Sequence, residues 1–220
     1  MPESHDLWRY VHILLLTFWL GADVGVYLTM IFVKDRRLSF DTRVTLIKLA
    51  FYIDLFPRAC FALFIPVGLQ LAGDLALLEV GTAGRVAAWL IALAWVALHF
   101  AIIRMKGTPA AKTLSKLNIA FEAVAGFVCV GYGLYALSSQ EGPADWFAAK
   151  VLLFGLIFWI VLGIDTTFQP FSMILRMSRE GATESGEAAV TRTTNLTLAW
   201  AMLLYLLIAA IAFLGTVKPV

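Results

Sequence analysis

Charge is what this chain has little of: Asp, Glu, Lys and Arg make up 15% of its 220 residues, where a soluble domain carries roughly 25%. A water-facing surface needs those groups and a lipid-facing one rejects them, so the shortage excludes an ordinary soluble globular domain. Histidine is scarce as well, at three, and cysteine at two. Cys60 and Cys129 each lie inside an apolar run with no Cys-x-x-Cys spacing. That argues for small core residues and against a disulfide or a thiolate metal site. The formal charge is only +2 and no basic block occurs, which excludes nucleic acid as a partner. Residues 1–10 carry acids and no basic n-region, so a cleaved signal peptide is not expected. Gly/Ser linkers and heptads are also missing.

What is there is apolar: 61% of the residues are hydrophobic and the mean hydropathy is +0.85. A helix crosses the hydrocarbon layer with about 20 apolar residues. Runs at about 7–33, 49–71, 86–103, 117–137, 148–175 and 196–217 qualify. The expectation is an all-α, polytopic transmembrane bundle of about six spans, one domain over residues 1–220, with the lipid bilayer as its first partner. Pro170 is expected to end or bend the fifth span, and residues 178–195 read as a mobile polar loop. Lys34, Arg36, Arg37, Arg43 and Lys48 follow the first span, Arg104, Lys106, Lys112 and Lys116 the third, and Arg176, Arg179 and Arg192 the fifth. The opposite side has only Arg9, Arg85, Lys150 and Lys218. The positive-inside rule therefore puts both termini outside. Trp8, Tyr10 and Trp146 fall where an outer aromatic belt would lie.

An ionisable group inside a span costs about 2.5–3.5 kcal/mol on insertion scales, so each one marks a candidate site. Counting ~1.5 Å of rise per residue sorts them into two layers. His12 and Lys150 lie near the outer face, while Asp23, Asp54, Arg58, His99, Glu122 and Asp165 form a buried polar layer in the inner half. Asp54 and Arg58 stand four apart and face the same way, so they are expected to pair. The alternative is an Arg58 turned toward an anionic headgroup, a quinone or a porphyrin propionate. His12, Trp19 and Asp23 share one stripe of the first span. Gly21 and Gly25 fall on its other face, in a spacing that permits close packing. Glu122, Gly126, Cys129 and Gly133 line one stripe of the fourth span, suited to a neighbouring helix or to a flat ligand.

The segment Arg9-Tyr-Val-His12-Ile-Leu-Leu-Leu-Thr-Phe-Trp19-Leu-Gly21 resembles the first helix of CopD-like membrane proteins and HemJ-type protoporphyrinogen oxidases. Trp146-Phe-Ala-Ala-Lys150 is similar to their later Trp-x-x-x-Lys helix start. The resemblance implies a bacterial-type inner (plasma) membrane. It marks His12 and Lys150 as residues important for a haem b, or, through the CopD-like members, a link to copper.

Three readings follow. The first is a haem-binding or redox-linked membrane protein, with His12 as axial ligand, Lys150 as second metal ligand or near neighbour, and Trp19 and Arg58 in the cofactor site. The second is a small transporter, for copper or a proton-coupled solute, using Asp23, Asp54, His99, Glu122 and Asp165. The third is a structural subunit of a larger membrane complex. No catalytic residue is assigned.

Overall fold

Three hydroxyl side chains start the helices on one face of the molecule. Ser39 Oγ accepts from Thr42 N at 3.2 Å, Thr108 Oγ1 from Ala111 N at 3.2 Å, and Thr183 Oγ1 from Gly186 N at 3.1 Å. Each satisfies one of the backbone donors that a helix N-terminus leaves free. The computed structural model describes residues 4–139, 142–168 and 170–218, and every regular element in them is helical. In chain order these are α1 (Ser4–Val33), α2 (Phe40–Asp74), α3 (Thr82–Arg104), α4 (Pro109–Ser138), α5 (Asp145–Thr167), α6 (Pro170–Glu180) and α7 (Glu184–Val217). Six stretches are long and apolar enough to cross a membrane, with α5 and α6 counted together.

Most helices run past the apolar runs into polar turns; α2 begins at Phe40 and α7 at Glu184. Two expectations about the last third of the chain are settled differently. The fifth apolar run, expected to reach residue 175, stops at Thr167, and Pro170 opens the short helix α6. A proline at a first helical position loses no hydrogen bond, whereas inside a helix it removes one. The expected loop over 178–195 is instead the end of α6, a three-residue turn and the polar start of α7. Gly181, at φ +96°, takes the left-handed conformation that closes α6 cheaply.

The spans form a closed ring in which α1 touches α2, α2 touches α3, and so on through α4, α5 and α7 back to α1. In that ring α2 stands opposite α5. The half nearer the chain termini is filled by aromatic side chains: Trp19, Phe61, Phe64, Trp95 and Phe158 are all buried there. Phe61 alone meets Trp19, Trp95, Phe154 and Phe158 at centroid separations of 4.7–5.4 Å, within the range for favourable ring pairs. A second apolar cluster, including Val33, Ile47, Ile174, Met177 and Val190, joins α1, α2, α6 and α7 at the opposite, lysine- and arginine-rich end. We call that end the basic face.

Small residues bring α4 and α5 together. An added Cβ would stand 2.6 Å from Leu152 Cβ at Gly133, and 2.7 Å from Val130 N at Gly155. The stripe of Gly126 and Gly133 therefore takes a helix and leaves no slot for a flat ligand. The Gly21–Gly25 spacing on α1 does not pack this way. Gly21 has nothing within 4 Å of an added Cβ, and Gly25 has only ordinary contact with Ile53 at 3.8 Å.

Candidate functional site: a charged cavity in the basic half

Within the ring, on the basic side of the aromatic core, lies a cavity of about 640 Å³ that reaches the α3–α4 turn. Its size is that of a small-ligand site. All six spans contribute to its wall, and the entire inner polar layer faces it: Asp23 from α1, Asp54 and Arg58 from α2, His99 from α3, Glu122 from α4 and Asp165 from α5.

Arg58 forms the floor. Its Nε donates to Asp54 Oδ2 at 2.6 Å, and its terminal nitrogens donate to both oxygens of Asp165 at 3.0 and 2.6 Å. The i, i+4 pair expected from sequence is present. Its partner across the ring, 107 residues away, was not legible, because no local spacing encodes it. The guanidinium's planar fork matches a carboxylate bidentately, so Arg58 ties α2 to the span opposite at the deep end of the cavity, where Trp19 and Phe61 of the aromatic core also line the wall. The expectation that Arg58 belongs with His12 in one cofactor site does not match this placement.

Beside the floor, a relay of hydrogen bonds orients Glu122. Trp95 Nε1 donates to Asn118 Oδ1 at 2.8 Å, and Asn118 Nδ2 donates to Glu122 Oε1 at 2.9 Å. Indole N–H can only donate, so it fixes which end of the amide it meets and turns the NH₂ toward the carboxylate. Glu122 itself is 0% exposed, and its Oε2 has no partner. On the α1–α7 side, the buried Tyr205 hydroxyl faces Asp23 without closing a hydrogen bond of ordinary geometry. Tyr205 and Asn118 escaped the sequence reading because neither is charged, although Asn118 stands one helical turn before Glu122.

The mouth is basic and aromatic. Lys106, Lys112 and Lys116 line it. Lys106 as a residue is exposed, but its ammonium lies 3.0 Å from the Phe51 ring centroid and 4.7 Å from that of Phe171. That covering pushes its pKa down to about 8, because a desolvated ammonium loses stability relative to the neutral amine.

Outside the cavity, at the start of α2, Arg43 is the surprise. Counted in sequence as a loop base, it is 1% exposed. It donates to Val33 O at 2.7 Å and to both oxygens of Glu187 at 2.7 and 2.9 Å. It thus locks the end of α1 and the first turns of α2 and α7 together.

The outer layer stands apart. His12 and Lys150 do not line the cavity. The His12 ring packs edge-on against Phe64 at 4.6 Å, and its buried Nδ1 has no partner. Lys150 lies close enough for its charge to act on His12, with Nζ against α7, 2.5 Å from where a Cβ on Gly215 would stand. Trp19 links the layers, packed at a tilt against Phe61 and Phe64 at 5.0 and 5.4 Å while also lining the cavity. His12 would offer an imidazole nitrogen to a haem, and Lys150 an amine only once deprotonated. As one haem cradle, however, the set of His12, Lys150, Trp19 and Arg58 does not fit, because Arg58 is engaged by two aspartates on the far side of the aromatic core. For copper, no three His, Cys, Asp or Glu side chains converge as a metal site among the described residues.

No protein-family model, no curated protein and no solved structure matches this chain.

Proposed function

We propose that the protein is a small membrane carrier that couples the movement of a solute to protons through the inner polar layer. One observation carries the reading: ionisable groups from five different spans all face a single ligand-sized cavity that reaches the basic face. Charges inside a membrane are expensive, and they persist where they line a solute or proton path. A purely structural role would be met by closed ion pairs. Asp54, Arg58 and Asp165 make such a cluster, but Asp23 and Glu122 remain outside it with oxygens to spare. The resemblance to CopD-like and HemJ-type proteins supports a bacterial-type inner membrane as the location. It also admits a quinone or other membrane-complex subunits as further partners.

The test is reconstitution into liposomes holding a pH-sensitive dye, with an imposed proton gradient. A solute panel would comprise an organic cation, an organic anion, a neutral amino acid and a sugar. At least one solute is expected to drive proton flux that Glu122→Gln or Asp23→Asn abolishes. Silence across the panel would overturn the carrier.

A haem b bound at His12 is the second reading, favoured by the unpartnered, buried Nδ1. When bound, such a haem would supply one-electron redox chemistry. His12 would hold it by the imidazole, and Lys150 could assist only as the neutral amine. On this reading haem-supplemented wild type shows a low-spin b-type absorption spectrum, lost in His12→Ala and shifted in Lys150→Met. A colourless wild type removes the reading.

A further inference from the structure

The charges around the cavity do not balance. Its deep end holds four carboxylates, Asp23, Asp54, Glu122 and Asp165, against one guanidinium, Arg58, with His99 the other basic group at that depth. Arg58 is committed to Asp54 and Asp165. Asp23 faces Asp54 and Arg58 from α2 and Tyr205 from α7. Glu122 faces Arg58 and Asp54 from α2 and Asp165 from α5, with Asn118 on its own helix. Both therefore need a proton or a cation, since an isolated buried carboxylate is too costly to stay bare.

The lysines do not supply that cation. Lys106 rests on Phe51 at the mouth, and Lys112 and Lys116 are exposed on the basic face, where solvent and salt screen them.

Two observations identify what would. Glu122, one of the residues lining the cavity, is fully buried, and its Oε2 is unpartnered. The Trp95–Asn118 relay spends itself on the other oxygen, which leaves Oε2 free for a ligand. The same wall is aromatic between the acids, with Trp19 and Tyr27 one turn either side of Asp23, Phe51 and Phe61 on the helix of Asp54, and Tyr205 against Asp23, and ring faces attract cations. The acids are spread along the wall and do not converge on one point. A compact metal ion would leave most of them unsatisfied, whereas an extended organic ion reaches several.

From this juxtaposition we infer that the cavity binds an organic cation of the quaternary ammonium or phosphonium class, which displaces a proton from Asp23 or Glu122 as it enters. The inference rests on the carrier reading and names its substrate class. The exchange is balanced. A carboxylic acid loses its proton to solvent, and the resulting carboxylate pairs with the incoming cation.

The test uses the full-length protein in detergent with radiolabelled tetraphenylphosphonium as probe, and tetraphenylborate, its anion of equal shape, as control for partitioning. Phosphonium is expected to bind saturably and to release protons in weakly buffered solution. Its affinity should weaken as pH falls, by up to about tenfold per pH unit where one carboxylate takes up a proton. Glu122→Gln is expected to lose about tenfold or more in affinity and to release fewer protons, because a neutral amide has no proton to exchange. Should that buried variant fail to fold, Asp23→Asn carries the same expectation.

Borate binding as tightly as phosphonium overturns the inference, as does phosphonium binding that neither pH nor both variants alter. The two claims fail separately. Proton flux driven by an anionic or neutral solute, without phosphonium binding, leaves the carrier and removes the organic cation. Saturable, pH-dependent phosphonium binding without flux from any solute does the reverse.

Discussion

A guanidinium inside a bilayer has to be solvated by something, and Arg58 is solvated by aspartates from two opposite spans. This changes what a mutation there should do. Were Asp54 the only partner, removing both residues would be milder than removing Asp54 alone. With Asp165 holding the guanidinium bidentately, Asp54→Ala leaves a neutral pair behind, while Asp54→Ala with Arg58→Leu strands Asp165. Removing one member of a buried ion pair costs roughly 3–5 kcal/mol in soluble proteins. The expected order of thermal stability in detergent is wild type, then Asp54→Ala, then the double variant, with Arg58→Leu lowest. Adding Asp165→Asn to the double variant should recover part of the loss. A double variant as stable as Asp54→Ala would show that Asp165 contributes nothing. The legible part of this site was what a helix repeat encodes: the Asp54–Arg58 step and the common stripe of His12 and Trp19, which do meet the same Phe64 ring. Asp165, Glu187 and Tyr205 depend on which spans become neighbours, and no single-helix spacing carries that.

At the scale of the helix, hydropathy sees only the stretch that lies in hydrocarbon. It located six runs, but it cannot see the polar turns that a hydroxyl cap adds at Ser39, Thr108 and Thr183. The polar sequence after residue 178 therefore reads as a loop while folding as the first turns of α7. Arg43 was misjudged for the same reason. It belongs to the first turn of α2, where Glu187 from α7 and the Val33 carbonyl enclose it. α2 shows the opposite case, since Pro57 and Pro66 lie inside it and the helix continues. Within a bundle the freed carbonyls find other partners, so proline is a weaker stop there than in water. Where the chain does break, between α5 and α6, Pro170 coincides with the end of the apolar run.

Across the whole molecule, six crossings return the chain to the face it started from, and the count of Lys and Arg expects that face to be outside. In a background lacking Cys60 and Cys129, single reporters Ser4→Cys and Ser139→Cys should react with an impermeant maleimide added to intact cells. Ser39→Cys, Ser115→Cys and Ser185→Cys should react only after the membrane is opened. Outside labelling of Ser39→Cys or Ser115→Cys would invert the orientation.

The Arg58 floor also has an electrical meaning. The aromatic core fills the ring on one side of it, and the cavity leaves the other side open toward the basic face. A cavity open to one side stays near the potential of that side, so most of a transmembrane voltage would fall across the packed core and a smaller share along the path from the mouth to the floor. Moving one elementary charge through the whole field is worth about 2.3 kcal/mol per 100 mV, and an ion travelling that path experiences its share. With the basic face turned to the negatively polarised side, the field draws a cation from the floor outward to the mouth and opposes its return. On the carrier reading, a cation held beside Arg58 and its two aspartates is therefore biased toward the basic side whenever the membrane is energised.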